Sequence, residues 1–397
     1  MRGSYGVMGN DQVYYGNVLQ EYQFLSTYGF GSYTVNNAGF KTLYENVVPN
    51  VDFTWEVARN TDVGIDGTLL DNHINFTFDY FYNKRDHILW PKRGSTPQSS
   101  GIANLLPPTN IGKAENKGYD FSVGYNGQVH NFTFSVSVNG GYAKNKIIFQ
   151  DEAPGAPAWQ KATGHPFSSG GGGAFLPYIY DGVFKDQAEI DKNTVDYSGL
   201  TPTLRPGDMK FKDIGGIDAN GNYVNKPDGK IDGADQVRLD KTSEPTFTGG
   251  INITMGYKAF DLSILFQGAT GGLLYIGTES GDIGNYLQYS YDHQWTIDKP
   301  SSVDPRIANR GDTYYTGNNT YFLRSSDYLR LKNLELGYNL PHKLSDKAGI
   351  HAFRVYVSGL NIITWDKMKI WDPESTSGNG QYYPQARILN VGARITF

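Results

Sequence analysis

The 397-residue chain contains no cysteine. That excludes a disulfide framework, a thiolate nucleophile and any Cys-based metal site. It holds no run of about eighteen apolar residues, so no bilayer-spanning helix is expected. A basic surplus is also missing: the net charge is −5 and the pI about 5.8, which argues against nucleic acid as a partner. No basic stretch followed by an apolar one opens the chain, so no secretory signal is read there. If the protein is exported, residues are expected upstream of Met1. What is present is different in kind. Hydrophobic residues make up only 39%, yet aromatics reach 14%, with 29 Tyr, 21 Phe and 48 Gly. This mixture suits many strands joined by Gly-rich turns, with Tyr at membrane–water boundaries. Barrel strands carry a period-two signal rather than a hydropathy peak, so a membrane barrel stays open.

The period-two signal recurs along the chain. Leu389, Val391, Ala393, Ile395 and Phe397 share one parity; Asn390, Gly392, Arg394 and Thr396 share the other. About ten residues with one apolar face is the length of a transmembrane barrel strand. On this segment alone, an edge strand of a soluble sandwich reads equally well. The same alternation runs through Ile74, Phe76, Phe78, Tyr80 and Tyr82, through Tyr119 to Tyr125, through Phe132 to Val138, and through Ile251 to Tyr257. Ten strands are expected, the first over residues 2–9.

Short connections at 70–73, 126–130 and 258–259 alternate with long ones at 10–54, 84–116, 149–245, 270–327 and 366–387. Tight periplasmic turns opposite long extracellular loops are the pattern of an all-β, antiparallel transmembrane β-barrel. With the C-terminus in the periplasm, Tyr125, Tyr257, Tyr338 and Phe397 end the descending strands. Tyr80, Tyr82, Tyr142 and Trp365 then lie near the outer ends of ascending ones, which makes two aromatic girdles. Ile74, Phe76, Phe134, Val136, Ile253, Ile264 and Ile395 are expected to face lipid; Thr77, Asp79, Ser135, Thr254 and Arg394 are expected to face the lumen. Residues 328–340 change phase, with Leu329 and Leu331 on one parity and Leu334, Leu336 and Tyr338 on the other. A β-bulge near Lys332 and Asn333 explains this. Outward-pointing Arg330 and Lys332 at headgroup level explain it as well.

Several stretches carry a family resemblance: Arg-Gly-Ser-Tyr-Gly-Val-Met-Gly-Asn at 2–10, Thr-Trp-Glu-Val-Ala-Arg-Asn-Thr-Asp-Val-Gly at 54–64 and Asn-Lys-Gly-Tyr-Asp-Phe at 116–121. Pro-Gly-Asp-Met-Lys-Phe-Lys-Asp at 206–213 and Asp-Gly-Lys-Ile-Asp-Gly-Ala-Asp at 228–235 continue it. Residues 328–338, 357–365 and the terminal Phe397 complete the order. The chain resembles the C-terminal half of SusC/RagA-type TonB-dependent transporters. The resemblance implies about ten strands of a 22-stranded barrel, with residues 1–397 as its C-terminal part. The plug, TonB box and signal peptide are not found within them. It further implies outer-membrane lipid around the barrel and a SusD-type lipoprotein lid. The TonB complex would act through the N-terminal part, and the barrel-assembly machinery would read Phe397. Ten strands alone would leave two open edges in lipid, so another half is expected.

Among local signals, the Asp-rich stretch at 213–235 stands out. Asp213, Asp218, Asn220, Asp228, Asp232 and Asp235 offer oxygen ligands beside turn glycines, as a structural calcium ion requires. An insertion at 223–227 breaks the calcium-loop spacing, and a solvated set of Asx turns is the competing reading. The seven His lack metal-ligand spacing, and the glycines at 170–173 lack a following Lys-Ser/Thr. No nucleophile–base arrangement appears, so no enzyme is expected. Trp90, Trp159, Trp295, Trp371, Tyr382 and Tyr383, with Asp372, Asn379 and Arg387, are candidate substrate-binding residues in the outer loops. Aromatic faces stack on apolar sugar faces, but aromatics also hold loops together. An oligosaccharide importer is therefore expected, with an oligopeptide importer or a passive barrel or adhesin as alternatives.

Overall fold

The computed structural model describes residues 1–12, 14–15, 18–19, 22–46, 48–92, 94–168, 173–277, 279–280, 282, 284–301, 303–308, 318–341, 350–375 and 378–396. Ten strands form one antiparallel sheet. They are β1 (Arg2–Asn10), β2 (Glu56–Leu69), β3 (Ile74–Pro91), β4 (Pro108–Val129), β5 (Phe132–Phe149), β6 (Phe247–Tyr257), β7 (Phe260–Thr270), β8 (Tyr328–Asn339), β9 (Ala352–Asp366) and β10 (Ile388–Thr396). Each pairs with its sequence neighbour, so the sheet is a pure meander from β1 to β10. No helix among the described residues is long and apolar enough to cross a membrane.

The expected parity holds across the pairing. Ile74, Tyr125, Val136, Ile253, Ile264, Leu334, Gly359 and Leu389 face one another in a single row over eight strands. Phe76, Val123, Val138, Ile251, Phe266, Leu331 and Ile363 form the next row on the same face. This face is bare. Val357 is 55% exposed and Leu336 51%, and the other sheets among the described residues have only two strands each. A soluble sandwich would bury such a face under a second sheet. The opposite face is polar: Asn126, Ser135, Thr254, Ser263, Glu335, Ser358 and Asn390 make one of its rows.

Two connections differ from expectation. β3 and β4 do not stop at residues 84 and 116 but run on to Pro91 and from Pro108, giving strands of 18 and 22 residues. Their outer parts carry Lys84, Arg85, Asn110, Lys113 and Glu115, a polar sequence without period, and pair through bulges around His87, whose φ is 60°. The turn expected at 126–130 shrinks to His130 and Asn131, because Val129 still pairs with Phe132. The phase change in β8 is a bulge. Lys332 is skipped between β8 and β7, and the β8–β9 register shifts at the same place. Arg330 therefore stays on the polar face, and the alternative of an outward Arg330 is overturned.

The long loops at 150–246 and 271–327 fold together over one end of the sheet. Phe184, Tyr197, Met209, Phe211, Ile231, Ala308 and Phe322 form their shared core. Buried Asp208 pairs with Arg306 at 2.6 Å, joining the two loops across 98 residues.

Candidate functional site

The last loop, 367–387, is fastened to the polar face through Arg330. The Arg330 side chain is 2% exposed and its Nη2 lies 2.7 Å from Asp372 Oδ1, its Nη1 2.6 Å from Glu374 Oε2. Its Nε donates to Thr364 Oγ1 at 3.0 Å, and the guanidinium sits over the Tyr328 ring. Lys332 Nζ donates to Gln385 Oε1 at 3.0 Å, adding a second tie two residues along β8. All three guanidinium nitrogens are thereby engaged, two of them by carboxylates. Asp372, expected to bind a sugar hydroxyl, is thus committed to Arg330 and to the backbone N–H of Glu374.

The other candidates divide by role. Trp159 donates its indole N–H to Ala234 O at 2.8 Å, and Trp295 donates to Lys185 O at 3.0 Å. The Trp295 ring packs so closely on Gly207 (φ 86°) that a Cβ there would lie 2.7 Å from it. The Trp159 bond closes the loop 150–246 on itself, and the Trp295 bond ties the loop 271–327 to it. Trp90 lies on β3 rather than in a loop. With Ile88, Ile147, Phe149, Phe167 and Arg238 it lines a cavity of about 430 Å³. Trp371 packs near Gly380, and its buried indole N–H has no partner among the described residues. Asn379 donates to Gln381 and accepts its backbone N–H. Tyr383 is 89% exposed and Arg387 is also exposed, while Tyr382 is half-buried. The structure does not gather these nine residues into one site.

The Asp-rich loop is built from backbone hydrogen bonds. Asp213 accepts the N–H groups of Asp228 and Gly229, and Asp218 accepts those of Asn220 and Asn222. Asp232 and Asp235 form a reciprocal capping box on the short helix Gly233–Asp235. Asp235 also accepts from Ile214 and Gly215. Burial pushes its carboxyl above the ordinary value, against those hydrogen bonds; hydrogen bonds led by Asn222 hold exposed Asp218 below it. Among the described residues no three His, Cys, Asp or Glu converge as a metal site. Asp213, Asp218, Asp228, Asp232 and Asp235 thus each accept a backbone N–H group. Phe397, His342 and Gly170 to Gly172 lie outside the described residues.

Sequence reasoning missed Arg330, Asp208 and Arg306. The phase change in β8 was the signal for Arg330; nothing local marked the other two.

A ten-stranded meander with one bare apolar face, one polar face and all its long loops at one end is the wall of a membrane-spanning β-barrel. Residues 8–362 match the family described as "TonB dependent receptor-like, beta-barrel", and the chain belongs to it. It is 30% identical, over its whole length, to "TonB-dependent receptor P3" of Formosa agariphila, of which it covers 39%. "TonB-dependent receptor P26" of the same organism is 26% identical, with 40% covered. Among solved structures, the RagAB peptide transporter matches over 100% of this chain and 40% of its own, with a TM-score of 0.66 at 22% identity. The "open-open" state of the RagAB peptide importer gives 0.67 at 21%, with 100% of this chain and 40% of that one covered. These agree with the SusC/RagA-type resemblance. The chain spans about two fifths of the length of the relatives it matches.

Proposed function

We propose that the chain forms part of the wall of an outer-membrane importer that draws energy from TonB and carries oligosaccharides beneath a SusD-type lipoprotein lid. The observation that carries the cargo assignment is the neutral polar face of β4 to β7. Ser122, Asn139, Ser137, Asn252, Ser135, Thr254, Ser263 and Gln267 present hydroxyls and amides with few charges. Such a surface hydrogen-bonds a neutral hydroxylated polymer and offers little to a compact ionic chelate. Exposed Tyr383 adds a ring on which a sugar face stacks. The chain would supply wall and outer loops. Lid capture, plug rearrangement from the periplasm and inward release involve the rest of the machine.

The test is growth of a strain lacking the intact gene on a panel of glycans and peptides as sole nutrients. A defect confined to particular glycans is expected. A defect on peptides alone would replace the sugar reading with the oligopeptide one. Normal growth on everything would favour a passive barrel or adhesin.

A further inference from the structure

The outward face of β2 to β5 carries a band of cations just beyond the upper aromatic row. Tyr80, Tyr119 and Tyr142 face one another across β3, β4 and β5. The Tyr119 and Tyr142 rings stack at 5.5 Å, and Phe78 stacks on Tyr119 at 5.9 Å. Two residues further out, with the same parity, Thr61, Tyr82, Lys117 and Lys144 form the next row. Arg59, Lys84, Glu115 and Lys146 form the row beyond it. No register shift intervenes on any of these strands, so all these side chains share the lipid side with the tyrosines.

The internal counter-charges do not suffice. Arg59 pairs with Asp86 and Lys144 with Asp240. Glu115 accepts the Tyr82 hydroxyl at 2.9 Å. Lys84, Lys117 and Lys146 make no hydrogen bond or ion pair among the described residues. Five cations thus meet three carboxylates, on a chain whose net charge is −5. Lys117 also lies directly opposite Lys144 in the ladder, a like-charge pair for which Asp240 supplies only one counter-charge. Tyrosine rows mark the depth where hydrocarbon gives way to headgroups, and lysines above them extend their ammonium groups into that layer.

We propose that this band, centred on Lys117 and Lys146 with Lys84 beside them, docks the phosphorylated headgroup of an anionic glycolipid in the outer leaflet. Adjacent strands lie about 4.8 Å apart and alternate residues about 7 Å apart along a strand, so one phosphate bridges two or three of these ammonium groups. The lipid's acyl chains would then run down over Tyr119, Val123 and Val138. The site is independent of the cargo and requires only that the barrel stand in a membrane.

The test uses the intact protein purified from its own outer membranes in mild detergent. Native mass spectrometry reads the phosphorylated glycolipid that stays bound. K117E/K146E is expected to lower retention roughly thirtyfold, since each lysine near an anionic surface contributes about one kcal/mol. K117R/K146R should restore it, and K212E in an outer loop should leave it unchanged. Enzymatically dephosphorylated glycolipid should bind wild type and K117E/K146E alike. Equal retention by K117E/K146E, with unaltered β-sheet spectrum and detergent mobility, would overturn the proposal. Displacement by inorganic phosphate as readily as by glycolipid micelles would overturn it too, by assigning a free-anion site. Should charge reversal block insertion, K117Q/K146Q removes the charge without introducing repulsion, and the same readings apply.

Discussion

Arg330 is the residue on which the last outer loop depends. Replacing it with methionine keeps much of the stem but strips Asp372 of its cation and leaves Glu374 only the longer contact to Lys332 Nζ at 3.9 Å, in a site with little access to water. Breaking a buried pair on one side costs about 3–5 kcal/mol. Arg330→Met should lower the denaturant midpoint in detergent and raise hydrogen exchange through residues 367–387, with the β3–β5 core unchanged. Among the loop residues, Glu189 gives a pH signature. A hydrogen bond from Lys210 Nζ at 2.6 Å, reinforced by the Lys185 backbone N–H, holds its carboxyl below the ordinary glutamate value. A depressed folded-state pKa stabilises fully above the unfolded value, and that stabilisation fades as pH falls through the folded value. Hydrogen exchange around Gln187–Asp191 should therefore rise on acidification from about pH 5 downward. Lys210→Met should leave that onset in place, raise the lower end of the transition toward it and shrink the change.

At the scale of elements, the paired bulge of β8 and β9 decides which way Arg330 points. Asn361 sits in it with φ 52° and donates its side-chain amide to Ala386 O at 3.0 Å. Asn adopts the left-handed region more readily than a β-branched residue does. Asn361→Val should therefore cost about 1–2 kcal/mol from the backbone conformation. Asn361→Gly should keep the backbone and lose only the bond to the last strand's approach. Chemical unfolding of both variants in one detergent checks the order. The break in apolar phase between Leu331 and Leu334 was legible in the sequence, but it fitted an outward Arg330 as well as a bulge, and only the strand register separates the two. The outer ends of β3 and β4 were not legible. Once a strand leaves the hydrocarbon, neither face must be apolar, so Lys84, Arg85 and Lys113 pair without leaving a periodic trace. The loop cap was illegible for another reason. Asp208 meets Arg306, and Lys185 meets the Trp295 indole, across about a hundred residues or more of chain. Period and motif carry no information at that range, so nothing in the sequence marks which indoles are held by loop carbonyls.

At the scale of the whole molecule, the sheet separates two solvents, and the separation can be measured strand by strand. Phe134 stands on β5 opposite Met255 of β6 and Gly127 of β4, with its ring 5.7 Å from Phe132 and 5.5 Å from Tyr125. Ser135, one residue on, stands opposite Thr254 and Asn126 on the polar face. A single step along the chain therefore changes the environment from acyl chain to aqueous lumen. Arginine at a lipid-facing position near the midplane costs about 2–4 kcal/mol, falling to about 0–1 near the interfaces, while lumen positions tolerate charge. Phe134 lies only two residues into β5 and four from His130, so Phe134→Arg should cost less than the same change at Val138, four residues deeper. Ser135→Arg should cost the least of the three. Reversible unfolding of the intact protein from lipid vesicles gives all three values. The order Val138, Phe134, Ser135 is required by a sheet whose apolar face meets lipid and whose periplasmic edge lies at His130. A Ser135 penalty above that of Val138 would mean the register is displaced by one residue along the whole row from Ile74 to Leu389.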